Sequence, residues 1–246
     1  MKKVAAALMV LALSVVAVLA VHAQGNGPAR LQSFEQDTAG WLDSDISGPG
    51  GWCGKVARYE RGSGPVMPSK GHGYAIVEQG PCNEFWMNNG WPASGPYAPF
   101  AGNLEGWPAS GFVAALDIYL DPAWAAGSGF QYAFSVSLPD GTFRYFPVTV
   151  AVDGGSVMVA GYPVTEAGWY TFRVIYSAAD GALAVDFELA QQGHVLFSQP
   201  VDSTLFTQES TSSFAANSVL PAYSWFEISD GLELPIDHYH YRPGTK

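Results

Sequence analysis

The sequence predicts an all-β protein, folded as a two-sheet antiparallel β-sandwich of the jelly-roll type with long disulfide-tied loops. Apolar side chains recur at every second position in several runs after Phe112, and turn signals such as Pro139-Asp140-Gly141 and Asp230-Gly231 separate the runs. No stretch keeps the apolar period of about 3.6 residues that marks an amphipathic helix. Many short strands in about 220 residues form a sandwich or a barrel, and the long loops favour the sandwich.

The first element is a predicted signal peptide over residues 1–23. Lys2 and Lys3 form a basic head, the run from Val4 to Val21 is apolar, and Val21-His22-Ala23 suits cleavage before Gln24. The alternative is an uncleaved anchor, because about 18 apolar residues can span a bilayer. We expect a secreted protein, extracellular or periplasmic, with no membrane contact after cleavage.

The second element, residues 24–246, is predicted to be a single sandwich domain, a length that one all-β unit can reach. The full sequence contains 11 Lys and Arg against 22 Asp and Glu, a formal net charge of −11. A chain this acidic lacks the basic patch that binds a phosphate backbone, which excludes nucleic acid as the main partner. The composition does not define an oligomeric state.

Cys53 and Cys82 are the two cysteines of the sequence. An even number of cysteines in an exported protein predicts a disulfide, and there is no CxxC pattern to suggest a metal or redox site. Closing a loop of about 30 residues would stabilise the fold by roughly 3.5 kcal/mol in the chain-entropy model. The bridge is predicted to tie the loops of residues 38–112.

Residues 38–112 are rich in Gly, Pro and Ser and contain five tryptophans. Long segments of this kind are either functional or disordered. Exposed aromatic rings stack on sugar rings, and amide side chains hydrogen-bond the hydroxyl groups. The alternative is that each ring plugs the core beneath its loop. The candidate carbohydrate-binding residues are Trp52, Trp86, Trp91, Tyr97, Trp107, Asn88 and Asn89.

The register of one hairpin follows from Asp180-Gly181, which favours a two-residue turn. Phe172, Val174 and Tyr176 then lie opposite Leu189, Phe187 and Val185. Every apolar residue on one strand meets an apolar partner on the other, so the core face is consistent. The opposite face sets Arg173 against Glu188, whereas a four-residue turn would set it against Asp186.

Three stretches carry a family resemblance: "SFEQDTAGW" near the start, "LDIYLDPAWAAGSGF" with "AGWYTFRVIYSAADGALAVDFELAQQGHVLF" in the middle, and "LPIDHYHY" at the end. They resemble a group of secreted bacterial β-sandwich proteins over most of residues 30–242. More broadly, the early Phe-Glu and the late Asp are similar to jelly-roll carbohydrate-binding modules and to the concanavalin A-like fold of lectins and glucanases.

The broader resemblance implies a structural calcium ion held by Glu35 and Asp237 together with backbone carbonyls, since calcium prefers oxygen ligands. In the absence of a metal, both side chains would be ordinary solvated carboxylates. The Glu-x-Asp-x-x-Glu motif of laminarinase-like glucanases is missing, as are the motifs of alginate-lyase jelly rolls. The resemblance therefore implies the fold and does not imply an enzyme.

Asp186 and Glu188 are the first candidate catalytic pair, because residues two apart on a strand share a face about 6.6 to 7 Å apart. Glycoside hydrolases use two carboxylates at about 5.5 Å or at 6.5 to 9.5 Å. The alternative is the polar face of a solvated sheet, where Arg173 supplies an ion-pair partner.

His238 and His240 are the second candidate pair, predicted on one face of the last strand with Asp237 and Tyr239 on the other. Two such histidines could bind a transition metal, and a histidine with a tyrosine such as Tyr239 could abstract a proton in a polysaccharide lyase. The alternative is a strand with exposed polar residues.

Together these features predict a secreted protein that binds an extracellular polysaccharide or oligosaccharide through loop aromatics, with structural calcium as its one expected cofactor. Two alternatives remain open. One is a polysaccharide-cleaving enzyme, a lyase or glycoside hydrolase, on the same scaffold. The other is a structural or adhesive surface protein.

Overall fold

The computed structural model describes residues 30–38, 44–45, 53–79, 85–87, 112–137, 143–179, 182–201, 204–205, 224–229 and 231–243. Every regular element within these ranges is a β-strand. Accordingly, none of the described residues belongs to a helix that is long and apolar enough to cross a membrane. The predicted signal peptide lies outside the described ranges, so it stays a prediction.

The described strands number sixteen. They are β1 (Arg30–Gln32), β2 (Ser44–Asp45), β3 (Cys53–Glu60), β4 (Gly73–Gln79), β5 (Phe85–Met87), β6 (Phe112–Leu120), β7 (Gly129–Ser137), β8 (Phe143–Asp153), β9 (Ser156–Val159), β10 (Tyr162–Val164), β11 (Gly168–Ala179), β12 (Ala182–Gln191), β13 (His194–Pro200), β14 (Thr204–Leu205), β15 (Ser224–Ile228) and β16 (Glu233–Pro243).

These strands form two sheets. The larger, nine-stranded sheet has the order β13-β12-β11-β6-β16-β4-β3-β2, with β1 also paired to β16. The seven-stranded sheet has the order β10-β9-β8-β7-β15-β5, with β14 paired to β8. Each pairing between described strands is antiparallel. The all-β antiparallel sandwich is therefore confirmed, while the jelly-roll connection stays a prediction.

The core lies between the two sheets, because each strand sends alternate side chains to that side. Phe172 of the larger sheet packs against Phe130 of the smaller sheet at a centroid distance of 6.1 Å and against its neighbour Phe187 at 5.4 Å. Tyr132 and Phe226 stack at 4.5 Å. Fully burying one such ring stabilises the fold by about 1.5 to 3 kcal/mol. These core rings therefore supply a large part of the free energy that holds the two sheets together.

The predicted hairpin between β11 and β12 is confirmed. Ala179 pairs with Ala182, which leaves two residues for the turn, and Phe172 pairs with Leu189 as the alternation required. On the opposite face, Nη1 of Arg173 lies 2.6 Å from Oε2 of Glu188. The two-residue turn thus selects Glu188, and not Asp186, as the ion-pair partner.

A bulge in β16 changes the predicted faces of the last strand. The register against β6 shifts between Asp237 and His240, and His238 adopts a positive φ of 50°. Before the bulge β16 pairs with β4, and after it with β1. The extra residue reverses the alternation, so Tyr239 is buried in the core while Asp237 bonds to Ser69. The prediction that Asp237 and Tyr239 share a face is wrong for this reason.

Candidate functional site

The candidate site is the face of the larger sheet that points away from the smaller sheet, here called the outer face. On β6, Asp117 and Tyr119 point to this face because their neighbours Leu116 and Ile118 point into the core. The connection between β3 and β4, residues 61–72, lies against the outer face and is called the covering loop. Its contacts decide which side chains of the sheet remain accessible.

Two carboxyl groups meet beneath the covering loop. Asp117 and Asp237 are register partners on neighbouring strands and are 5% and 1% exposed. The Ser69 Oγ lies 2.8 Å from Oδ2 of Asp117 and 2.9 Å from Oδ2 of Asp237. Thr171 Oγ1 donates to Oδ1 of Asp117 at 2.6 Å. Because a hydroxyl carries one hydrogen, Ser69 can donate to one of the two carboxylates at a time.

Asp237 holds the backbone of the covering loop. Its Oδ2 accepts the N–H groups of Ser69 at 2.9 Å and Lys70 at 3.3 Å, and its Oδ1 accepts the N–H of His238 at 2.7 Å. Burial raises the pKa of Asp237 to about 6, although these hydrogen bonds act in the opposite direction. The role of this carboxyl group in the structure is therefore to anchor the loop.

Glu35 anchors the other end of the covering loop. Its carboxylate accepts the N–H of His72 at 2.9 Å and that of Gly73 at 3.2 Å. These bonds, that of His72 first, lower the pKa of Glu35. The Arg58 Nε donates to the carbonyl oxygen of Phe34 at 2.8 Å, which fixes the turn that presents Glu35.

The two predicted calcium ligands, Glu35 and Asp237, thus bind the same loop but do not fit a shared cation. Backbone N–H groups point at the oxygens of both, whereas calcium requires oxygen ligands directed at it. Within the described ranges no group of three His, Cys, Asp or Glu could hold a metal ion. A calcium ion here stays a prediction that these contacts do not favour.

Four aromatic rings lie together on the outer face and are called the aromatic group: Tyr59, Tyr74, Tyr119 and Trp169. Trp169 is the central ring, with edge-on contacts to Tyr74 at 6.2 Å and to Tyr119 at 5.6 Å. Tyr59 stacks on Tyr74 at 5.7 Å. Tyr74 is fully buried, whereas Tyr59, Tyr119 and Trp169 are partly exposed.

The covering loop fixes the orientation of this aromatic group. Trp169 Nε1 donates to the carbonyl oxygen of Met67 at 2.7 Å, and the N–H of Val66 donates to the Tyr74 hydroxyl at 3.4 Å. Met67 itself is 53% exposed. The loop therefore holds a partly exposed indole ring that cannot rotate without breaking its hydrogen bond.

The predicted histidine pair is in contact. The rings of His238 and His240 lie 5.5 Å apart, and Nδ1 of His240 is 3.3 Å from the carbonyl oxygen of His238. Burial, and then the charge of Lys70, lowers the pKa of His238. Tyr239 belongs to the core between the sheets, and its pairing with a histidine for proton abstraction stays a prediction.

The predicted carboxylate pair, Asp186 and Glu188, lies on β12, two strands from Asp117. Glu188 is bonded to Arg173, and the two side chains are 19% and 23% exposed. Asp186 is paired in register with Ile175 and with Pro200 at the sheet edge. This arrangement matches an ion pair on a sheet face, and a catalytic role for the two carboxylates stays a prediction.

Most of the predicted carbohydrate-binding residues lie outside the described residues: Trp52, Trp91, Tyr97, Trp107, Asn88 and Asn89. Trp86 is described only as a member of β5, where it pairs with Trp225 of β15. Cys53 begins β3, and its predicted partner Cys82 lies outside the described residues. The disulfide and the loop platform stay predictions.

The sequence reasoning missed the aromatic group and the pair of buried carboxyl groups. Their signal lies in the same alternation that revealed the core. In β6 the residues between the apolar positions include Asp117 and Tyr119, and in β11 they include Trp169 and Thr171. The sequence signal for this site is a charged residue, Asp117, and a tryptophan, Trp169, at positions between the apolar residues of two neighbouring strands.

Comparison with known proteins gave matches only among solved structures. No protein-family model and no curated protein matches the chain. A mutant of the GH43 protein BlXynB from Bacillus licheniformis is similar at 12% identity and a TM-score of 0.34, over 88% of this chain and 39% of that one. The chain thus spans about two fifths of the length of that relative.

Two further solved structures are similar over nearly their whole length. The CBM2 module of the evolved Dit of Lactobacillus casei BL23 phage J-1 shares 12% identity over 89% of this chain and 99% of that one, at a TM-score of 0.27. A pseudo beta-1,3-glucanase of Mycobacterium tuberculosis shares 13% identity over 90% of this chain and 97% of that one, at a TM-score of 0.31. Structural similarities this low carry no argument about the fold or the function of this chain.

Proposed function

We propose that this protein is a secreted carbohydrate-binding protein of the jelly-roll type, and that the aromatic group on the outer face binds the sugar rings of a polysaccharide. The observation that carries the proposal is the partly exposed ring of Trp169, held between Tyr74 and Tyr119 and fixed by its bond to the carbonyl oxygen of Met67. A rigid aromatic surface loses little entropy when it binds, which makes it an efficient contact for a sugar face.

Polar groups for the hydroxyls of a sugar border the same surface. The side chain of Lys70 is 60% exposed on the covering loop. The Arg173–Glu188 pair lies on the same sheet face, with Arg173 on the strand next to Asp117 and Glu188 one strand further. An apolar platform with a few charged or polar neighbours is the usual composition of a small-molecule site.

Binding is favoured over cleavage by the state of the carboxyl groups. A glycoside hydrolase presents an acid and a second carboxylate to the scissile bond. The two carboxyl groups beneath the covering loop, those of Asp117 and Asp237, are buried and bonded to Ser69 and to the backbone of that loop. They support the surface and do not reach a polymer chain.

The test is affinity gel electrophoresis against a panel of soluble polysaccharides, with Trp169→Ala as the variant. We expect a polysaccharide of the panel to retard the wild-type protein. Trp169→Ala, which removes the central ring, should bind that polysaccharide about tenfold more weakly. Tyr162→Ala is the matched control, because Tyr162 is a partly exposed ring that stacks on Phe197 at 5.4 Å, away from the aromatic group. Binding that survives Trp169→Ala, or is lost equally in the control, would contradict the proposal.

The same incubations separate binding from cleavage. New reducing ends would indicate a hydrolase, and new unsaturated ends, detected by their ultraviolet absorbance, would indicate a lyase. Either product, lost in Glu188→Gln or His240→Ala, would replace the binding proposal by the corresponding enzyme. We expect neither product and unchanged polymer length.

A further inference from the structure

The covering loop places positive charge beside the aromatic group of a strongly acidic protein. Residues 61–72 include Arg61, Lys70 and His72 and contain no Asp or Glu, whereas the whole chain has a net charge of −11. A local excess of one sign against the net charge of the chain raises the local concentration of ligands of the opposite sign. Here that sign selects anionic ligands.

Two of these cations can reach a ligand. The side chain of Lys70 is 60% exposed, and its Nζ lies 4.0 Å from Oδ2 of the buried Asp117, at the limit of an ion pair. The exposed Arg61 donates from Nη2 to the carbonyl oxygen of Gly71 at 2.8 Å, and a guanidinium carries five donors in all. His72 faces Glu35, which offsets its charge when it is protonated.

The neighbouring cations of β3 are engaged elsewhere. Lys55 is paired with Glu78 at 3.4 Å. Arg58 is paired with Glu60 at 3.0 Å and also donates to the carbonyl oxygen of Phe34. Lys70 holds its carboxylate partner less closely than these two residues do, at 4.0 Å, and Lys55 offers a control for a basic residue outside the covering loop.

Lys70 is held close to the aromatic group by the backbone. Trp169 bonds to the carbonyl oxygen of Met67, three residues before Lys70, and the N–H of Lys70 bonds to Asp237. A ligand that lies on the rings therefore meets the exposed ammonium group of Lys70 at the border of the aromatic group.

We infer that the ligand is an anionic polysaccharide, whose carboxylate or sulfate groups bind Lys70 and Arg61 while a sugar ring stacks on Trp169. This inference rests on the proposed function, because it concerns the same surface. It adds the chemical class of the polymer.

The experiment compares charged and uncharged polymers of the same backbone. Polygalacturonate is paired with its fully methyl-esterified form for carboxylates, and dextran sulfate with dextran for sulfates. Affinity electrophoresis is run on the wild type, Lys70→Gln, Arg61→Gln, Lys55→Gln and Trp169→Ala, at low and at raised salt, after a thermal melt shows that each variant is folded. The pair that shows the charge preference identifies the acid group.

We expect the wild type to bind one charged polymer more tightly than its uncharged partner by roughly five- to tenfold, as two exposed ionic contacts predict, with the preference lost at raised salt. Lys70→Gln and Arg61→Gln should each reduce this preference. Lys55→Gln should leave the affinities for the charged and the uncharged polymer unchanged. Trp169→Ala should weaken these two affinities by the same factor.

Equal binding of charged and uncharged polymers by the wild type would overturn the anionic class and leave the proposed function standing. Binding to neither polymer of either pair would overturn both. A charge preference that survives in Lys70→Gln and Arg61→Gln together would also overturn the inference, because the acid groups would then be recognised elsewhere. Anionic phospholipid vesicles are a further arm, and retention on vesicles alone would replace the polysaccharide by a membrane.

Discussion

Burial of Asp237 should make the stability of this protein fall as the pH rises. Its pKa is about 6 in the fold, against an ordinary value of 3.8, and burial is the main cause. A carboxyl group whose pKa is raised on folding stabilises the native state less at higher pH, because its ionisation costs more in the fold than in the unfolded chain. A shift of about two units corresponds to about 3 kcal/mol, lost between about pH 4 and pH 7.

Asp237→Asn removes this titration. We expect the unfolding free energy of the wild type, minus that of the variant, to fall by about 3 kcal/mol from about pH 4 to about pH 7. Urea denaturation at a series of pH values measures both proteins. Burial lowers the pKa of His238, so the contribution of this histidine to stability rises with pH. Both proteins contain His238, so its contribution cancels in the difference between their unfolding free energies.

Ser69→Ala is the companion variant. It keeps the carboxyl group of Asp237 and removes a hydroxyl hydrogen bond that lowers its pKa. Its stability should therefore fall more steeply with pH than that of the wild type. Parallel pH curves for the wild type and Asp237→Asn would refute the reasoning, and so would a flatter curve for Ser69→Ala.

Two further stability predictions concern the sheet itself. Gly73→Ala should lower the free energy of unfolding, measured by urea denaturation, by about 1 to 3 kcal/mol, because a Cβ there would lie 2.2 Å from the carbonyl oxygen of Phe34. Gly168→Ala is the control, since its Cβ would meet nothing within 3.4 Å. It should change the free energy of unfolding by less than about 0.5 kcal/mol. A double-mutant cycle on Arg173 and Glu188 should give a coupling of about 1 kcal/mol, since the pair is only partly exposed; no coupling would show that the ion pair is not formed in solution.

The parts of the fold that depend on residues close together in the chain could be predicted from the sequence. The β11–β12 hairpin is the clearest case, because a short turn and strict alternation leave one consistent register. Phe172 and Leu189 were placed opposite each other on those grounds alone. The antiparallel sandwich followed from the same alternation repeated along the chain.

The site could not be predicted in the same way, because its contacts join segments that are distant in sequence. Asp117 and Asp237 become neighbours only when β16 inserts beside β6, and Ser69 joins them only when the covering loop lies over both strands. The bulge at His238 requires a positive φ, which is uncommon in residues other than glycine, so the alternation of the strand did not reveal it. The faces of Asp237 and Tyr239 were misassigned for that reason.

The position of β16 also determines when this protein can complete its folding. The eleven residues of β16 are the one link between the block β13-β12-β11-β6 and the block β4-β3-β2 of the described larger sheet. Until these residues are in place, β6 and β4 are open edges that can pair with other chains. Such a sheet depends on contacts between distant parts of the chain, which makes its folding slow. The last described strand therefore ends the period in which a newly made chain is exposed to aggregation.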